Sequence, residues 1–125
     1  PMAAQAIALA EAVNYLESCL EKHDNSLNEY SLEKMKSING ISIYGNAPER
    51  TPIISFNIEG IHSLDLAHFL DYEGITIRSG HHCCQPLMQA LDITACARVS
   101  FYFYNSVEEV DFLVDKINKA VQVIK

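Results

Sequence analysis

The stretch RVSFYFYNSVEEVDFLVDKINKAVQVI, Arg98 to Ile124, changes its hydrophobic period half-way along. Up to Tyr104 it alternates: Val99, Phe101 and Phe103 fall on one face, Ser100, Tyr102 and Tyr104 on the other, as a half-buried strand requires. Ser106 followed three residues later by Glu109 is a capping box. Val110, Leu113, Val114, Ile117, Val121 and Ile124 then recur at helical spacing and make an apolar stripe. The segment predicts a strand and then a long amphipathic helix.

Working upstream, Ile75 to Arg78 reads as another strand, and Ser63 can cap a short helix through Leu70 that Gly74 closes. Ile54, Phe56 and Ile58 alternate with polar residues, as do Ile41 and Ile43, which predicts two more half-buried strands around a Pro-containing loop. A helix is predicted from Ser26 to Ile38, stopped by Asn39-Gly40. Another runs from Ala3 to Leu20, with Leu9, Val13, Leu16 and Leu20 on one face. Helices gathered around a small sheet, with few regular βαβ units, argue for an α+β domain of about four mainly antiparallel strands. Pro1-Met2-Ala3-Ala4 enters the first helix with no cap, so a preceding segment is expected.

The chain has 125 residues, 49% of them hydrophobic, which suits one domain with a sizeable core. Its formal charge of −7 lacks the basic footprint that nucleic acid or anionic lipid needs, and no stretch reaches the length of a membrane span, so neither partner is expected. Cys19, Cys83, Cys84 and Cys96 resemble no secreted disulfide framework and read as thiols in a reducing compartment.

Chemistry concentrates in Arg78-Ser79-Gly80-His81-His82-Cys83-Cys84-Gln85-Pro86. Gly80 allows a sharp turn, and imidazoles with a guanidinium nearby favour thiolate over thiol, the form that reacts. Two Cys and two His invite zinc, but four consecutive residues cannot readily converge on one ion, so no metal is expected. Cys19 and Cys96 read most simply as small buried hydrophobes, and His62 and His68 as helix-flanking positions. On its residue type alone Arg98 is a strand arginine paired with a carboxylate.

The loop together with Leu87-Met88 resembles the Arg-x-Gly-His-His-Cys-Ala-x-Pro-Leu-Met signature of Suf-type (group II, selenocysteine-lyase-like) cysteine desulfurases, which are pyridoxal-phosphate enzymes of fold type I. Ile53 to His62, Phe69 to Ile77, Ala97 to Phe101 and Tyr104 to Asp111 are similar to the same family, so the resemblance covers nearly the whole chain. It implies that Cys83 is the nucleophile that takes sulfur from L-cysteine or selenocysteine as a persulfide, leaving alanine, and hands it to a sulfur-acceptor protein of the Suf system for iron–sulfur assembly. It also implies that Arg98 holds the substrate carboxylate, a task suited to a planar fork. Arg78, His81 and His82 match as residue types and are expected to tune the thiol, orient the loop or shuttle a proton.

Family members are about three times as long, and their Schiff-base lysine lies upstream of the segment resembled here. None of Lys22, Lys34, Lys36, Lys116, Lys119 and Lys125 follows a histidine, as that motif requires. The expectation is therefore a homodimer with pyridoxal phosphate for the full-length enzyme, and no covalently bound cofactor and no activity for this chain alone. Residues 1–22 are expected to be the helix linking to a large domain, and residues 23–125 the small domain. The alternative is a stand-alone persulfide carrier or interaction module. Cys84 stands where the family usually has alanine, and either resolves a persulfide or is a tolerated small residue.

Overall fold

The computed structural model describes residues 2–20, 26–45, 47 and 50–124. In chain order its elements are α1 (Ala3–Leu20), α2 (Ser26–Lys36), β1 (Ile41–Tyr44), β2 (Ile53–Ile58), α3 (Ser63–Tyr72), β3 (Arg78–Gly80), α4 (Gln85–Ala90), β4 (Cys96–Ser100) and α5 (Val107–Ile124). The four strands form an antiparallel sheet in the order β1-β2-β4-β3, so the architecture is α+β.

The register explains the two faces of the sheet. Ile43 lies opposite Phe56, Phe56 opposite Ala97, and Ile54 opposite Val99. These side chains point to one side because alternate residues of paired strands share a face. There they meet Leu27 and Met35 of α2, Leu66 and Leu70 of α3, and Val110, Leu113 and Ile117 of α5. Phe56 is wholly buried at the centre, a burial that stabilises by ~1.5–3 kcal/mol. The stripe of α5 sits where its period places it, and the capping box forms: the Glu109 N–H donates to Ser106 Oγ at 3.4 Å, and the Ser106 N–H donates to Glu109 Oε2 at 3.0 Å.

Charged clamps tie the helices together. Asp111 on α5 accepts from Tyr30 Oη at 2.7 Å and from Lys34 Nζ at 3.0 Å, both on α2. Glu73, the C-cap of α3, is gripped by Lys116 at 3.0 Å and Lys119 at 2.7 Å. The hydrogen bonds from Lys119 and then Lys116 hold the Glu73 carboxyl below its ordinary range. A group whose folded pKa is depressed contributes stability above its unfolded value, about 4.3, and that contribution is lost as the pH falls through the lower folded value. Glu73→Gln is therefore expected to lower the urea midpoint at neutral pH, with the deficit against wild type closing in acid. A deficit that stays constant down to acid pH contradicts this account.

Several boundaries differ from the sequence reading. The strand expected at Ile75 to Arg78 is paired only from Arg78 onward: Ile75 and Ile77 pack half-buried on the core, but the ladder to β4 begins at Arg78. Apolar alternation reports burial, not pairing. The strand expected from Arg98 to Tyr104 starts earlier and ends at Ser100, because Asn105 folds the aromatic run into a turn: its N–H donates to Tyr102 O and its Oδ1 accepts from the Tyr102 N–H. Arg98 is thus in mid-strand, not at a strand start. The cap of α3 is His62, whose Nδ1 accepts from the Leu64 N–H, while Ser63 is buried. Helix α2 ends at Lys36, two residues before the expected Ile38. The first helix spans its expected range, yet none of its side chains is buried and Leu9 and Val13 are exposed. Lys22, Lys125 and the boundary expected between residues 22 and 23 lie outside the described residues. Among the described residues no helix is long and apolar enough to cross a membrane.

Candidate functional site

The face of the sheet opposite the core carries the polar members of each strand. Tyr44 lies opposite Ser55, Ser55 opposite Arg98, and Arg98 opposite Arg78, so a row of two hydroxyls and two guanidiniums crosses all four strands. Like charges directly opposite one another are destabilising. Among the described residues neither arginine is in an ion pair, and the half-buried Arg98 keeps an Nε with no hydrogen-bond partner. Two arginines paired across the ladder, with no counter-charge among the described residues, are an arrangement that an anion complements.

Helix α4 roofs this face. Pro86 stands at its start, where a missing N–H costs nothing, and Met88 is the residue it buries. Between α4 and the sheet is a cavity of about 480 Å³. Its polar wall is Tyr44, Ser55, His82 and Arg98, its apolar wall Leu87, Met88 and Leu91, and Cys84 and Cys96 also border it. Asn57 braces the polar wall by donating from Nδ2 to Tyr44 Oη at 3.1 Å and to Ala95 O at 2.8 Å.

The loop between β3 and α4 is a tight turn. The Cys84 N–H donates to His81 O at 2.9 Å, and the two central residues, His82 and Cys83, have φ of 54° and 56°. Positive φ at both centres is the signature of a type I′ turn, which favours Asn and Gly; a bulkier L-residue in that region costs ~1–2 kcal/mol. The turn projects Cys83 outward, and its thiol-bearing residue is exposed. Both histidines are fixed through backbone. His81 Nδ1 accepts from the Cys83 N–H at 3.1 Å, which places the proton of its neutral ring on Nε2. His82 Nε2 meets Cys96 O at 3.0 Å; a carbonyl can only accept, so Nε2 carries a proton, and Nδ1 is buried without a partner. Burial pushes the Cys96 thiol up, which the positive Arg98 partly offsets. Cys96 is fully enclosed, as the sequence suggested, while Cys19 is half-buried.

The structure therefore brings Arg98, His82 and Cys84 to one cavity, with Arg78 beside Arg98 on the sheet and Cys83 displayed on the adjoining turn outside the cavity lining. His81 is exposed and serves the turn. Sequence reasoning missed Tyr44, Ser55 and Asn57, whose polar positions in alternating strands look like ordinary solvent-facing residues. It also missed α4, for which Pro86 followed by Leu87, Met88 and Leu91 was the available signal. Among the described residues no group of three or more His, Cys, Asp or Glu side chains could hold a metal ion.

A family model described as aminotransferase class-V matches residues 1–113. A protein of Halalkalibacterium halodurans described as a probable cysteine desulfurase is 43% identical over 123 residues, which is 95% of this chain and 30% of that protein. Among solved structures, the apo cysteine desulfurase of Thermococcus onnurineus superposes with a TM-score of 0.87 at 32% identity, over 98% of this chain and 32% of its own. The cysteine desulfurase CsdA of Escherichia coli, in its S-sulfonic acid form, superposes with a TM-score of 0.84 at 26% identity, over 100% of this chain and 32% of its own. The chain spans about 30% of the length of the curated relatives it matches.

Pyridoxal phosphate held as a Schiff base needs a primary amine at the site. Among the described residues no lysine borders the cavity: Lys34 and Lys36 are on α2, Lys116 and Lys119 on α5, and both helices pack against the core face. Among the described residues, the cavity lining offers no primary amine for such a bond.

Proposed function

The chain belongs to the aminotransferase class-V family, and from that premise we propose that it is the small-domain portion of a cysteine desulfurase, with Cys83 as the sulfur acceptor and Arg98 as the anchor of the substrate carboxylate. The observation that carries this reading is the unpaired Arg78–Arg98 row beside a cavity whose adjoining turn displays an exposed thiol. A carboxylate answers the guanidinium fork, and an amino acid gripped there has its side-chain sulfur within the same small region as the loop.

In the transfer, the Cys83 thiolate attacks the substrate sulfur, a new S–S bond forms, and the substrate carbon–sulfur bond breaks. Its electron pair goes to the substrate carbon, which takes a proton and leaves as alanine. The atoms balance: one thiol and one cysteine give one persulfide and one alanine, with no external oxidant. The full-length enzyme's pyridoxal phosphate supplies the electron sink that makes the cleavage possible, and another part of the polypeptide holds it. His82 Nδ1 is placed to accept or hold a proton in the loop, and Arg78 adds positive charge beside Arg98. Residues 1–22 then form the connection to the cofactor-bearing domain, the functional enzyme is a homodimer acting on cysteine or selenocysteine in the cytoplasm or a plastid-type compartment, and the sulfur passes to a Suf-type acceptor protein.

The experiment is to supply L-cysteine to this chain alone and together with the pyridoxal-phosphate-bearing polypeptide, following alanine and the absorbance of the cofactor. Alanine is expected only with the cofactor-bearing part present, and the chain alone is expected to give no stable absorbance band from bound cofactor. A stable band on the chain alone overturns the division of labour. Persulfide on Cys83 without alanine, supplied by a separate donor protein, supports the carrier reading.

A further inference from the structure

We propose that Cys84 is a second sulfur station, which receives from Cys83 the sulfane sulfur that Cys83 takes up. The proposal rests on the reading of Cys83 as first acceptor. The two thiols are adjacent in sequence and differ in surroundings. Cys83 is the third residue of the His81–Cys84 turn, exposed and outside the cavity lining. Cys84 is locked at the start of α4, with its N–H on His81 O and its carbonyl accepting from the Met88 N–H at 3.2 Å, and it borders the cavity that Arg98 also borders. A persulfide anion on Cys84 therefore shares a cavity with a guanidinium whose Nε has no partner.

The geometry of neighbouring residues selects which reaction can follow. Cα atoms joined by a trans peptide are about 3.8 Å apart, whereas an ordinary disulfide wants about 4.4–6.8 Å, so a direct Cys83–Cys84 bridge is strained. Attack by Cys84 on the inner sulfur of the persulfide would make that bridge and expel hydrosulfide. Attack on the outer sulfur, one S–S bond of about 2 Å further from the backbone, makes no ring product. The Cys84–sulfur bond forms, the Cys83–sulfur bond breaks, and Cys83 leaves as a thiolate that takes the proton Cys84 gave up. One persulfide and one thiol become one thiol and one persulfide, with no oxidant or reductant.

Exchange of sulfane sulfur between two cysteine thiols breaks and makes the same kind of bond, with an equilibrium constant within about tenfold of one, so at least about a tenth of the sulfane sulfur is expected on Cys84. The test pulses the pyridoxal-phosphate-loaded enzyme containing this chain with L-cysteine isotopically labelled at sulfur, quenches it in acid with an alkylating agent, and locates the label by fragment mass spectrometry. In wild type the label is expected on residue 83 first and on residue 84 afterwards. In Cys84→Ala and Cys84→Ser, both at an exposed position, it is expected to stay on residue 83; in Cys83→Ser neither position is expected to carry it. Label confined to residue 83 of wild type at all times overturns the relay and leaves the reading of Cys83 standing. Label on residue 84 in Cys83→Ser overturns the relay by showing direct loading, and label on neither residue in wild type overturns both readings.

Discussion

Cys83→Ser is expected to abolish sulfur transfer, with alanine formation from L-cysteine in the cofactor-loaded enzyme falling by at least ~10³-fold, the scale of loss when a nucleophile is removed. The reason is chemical rather than structural. A thiolate is intrinsically nucleophilic toward sulfur, while a serine hydroxyl is neither ionised nor able to carry sulfane sulfur. Serine keeps the size of the side chain, and Cys83 is exposed, so no packing is disturbed. The backbone turn with φ of 56° is retained at the same cost for either residue. An unchanged thermal midpoint together with lost alanine formation is the expected pair of results. Residual activity above about a tenth of wild type would sink the assignment and transfer the chemistry to Cys84, which borders the cavity where Cys83 does not.

How far the sequence revealed this arrangement depends on what each residue reports. Periodicity in a sequence reports burial, so wherever burial and structure coincide the reading holds: the stripe of α5, the alternation of Ile54, Phe56 and Ile58, and the helix beginning at Ser26 all face the core. Where an element is defined by pairing or by a turn, burial misplaces it. Ile75 and Ile77 are half-buried without belonging to β3, and Phe101 is buried after β4 has ended because Asn105 turns the chain. Helix α1 is the converse case, a chain segment with helical spacing and apolar residues such as Ile7 and Leu9 left exposed.

The loop residues were legible through their chemistry and their resemblance to a motif, since Cys83 and its histidines stand together in sequence. The cavity was not. Tyr44, Ser55 and Arg98 are separated by whole elements and meet through strand register, which a one-residue slip would have reversed. Nothing in a polar residue at an alternating position tells whether it faces water or a roofed cavity; that depended on α4, six residues whose shortness hides any periodicity.

Arg98→Ala is expected to raise the KM for L-cysteine by ~10²–10³-fold, because two charge-assisted hydrogen bonds to a carboxylate are lost at about 1.5–3 kcal/mol each, with part of the loss recovered by water. Arg98→Lys is expected to lie between wild type and alanine, since the charge survives but the planar fork does not. Arg98 is half-buried, opposite Ser55 on one side and Arg78 on the other, and is in no ion pair among the described residues, so its removal breaks no structural bond and relieves like-charge crowding on the sheet. The decisive comparison uses cysteamine, which is L-cysteine without the carboxylate. If Arg98 acts through that group, cysteamine is a poor substrate for both enzymes, and the alanine substitution weakens it no further, as in a double-mutant cycle between protein and substrate. A substitution that harms both compounds equally would place Arg98 in the scaffold of the loop instead, acting through the Cys96 backbone that holds His82.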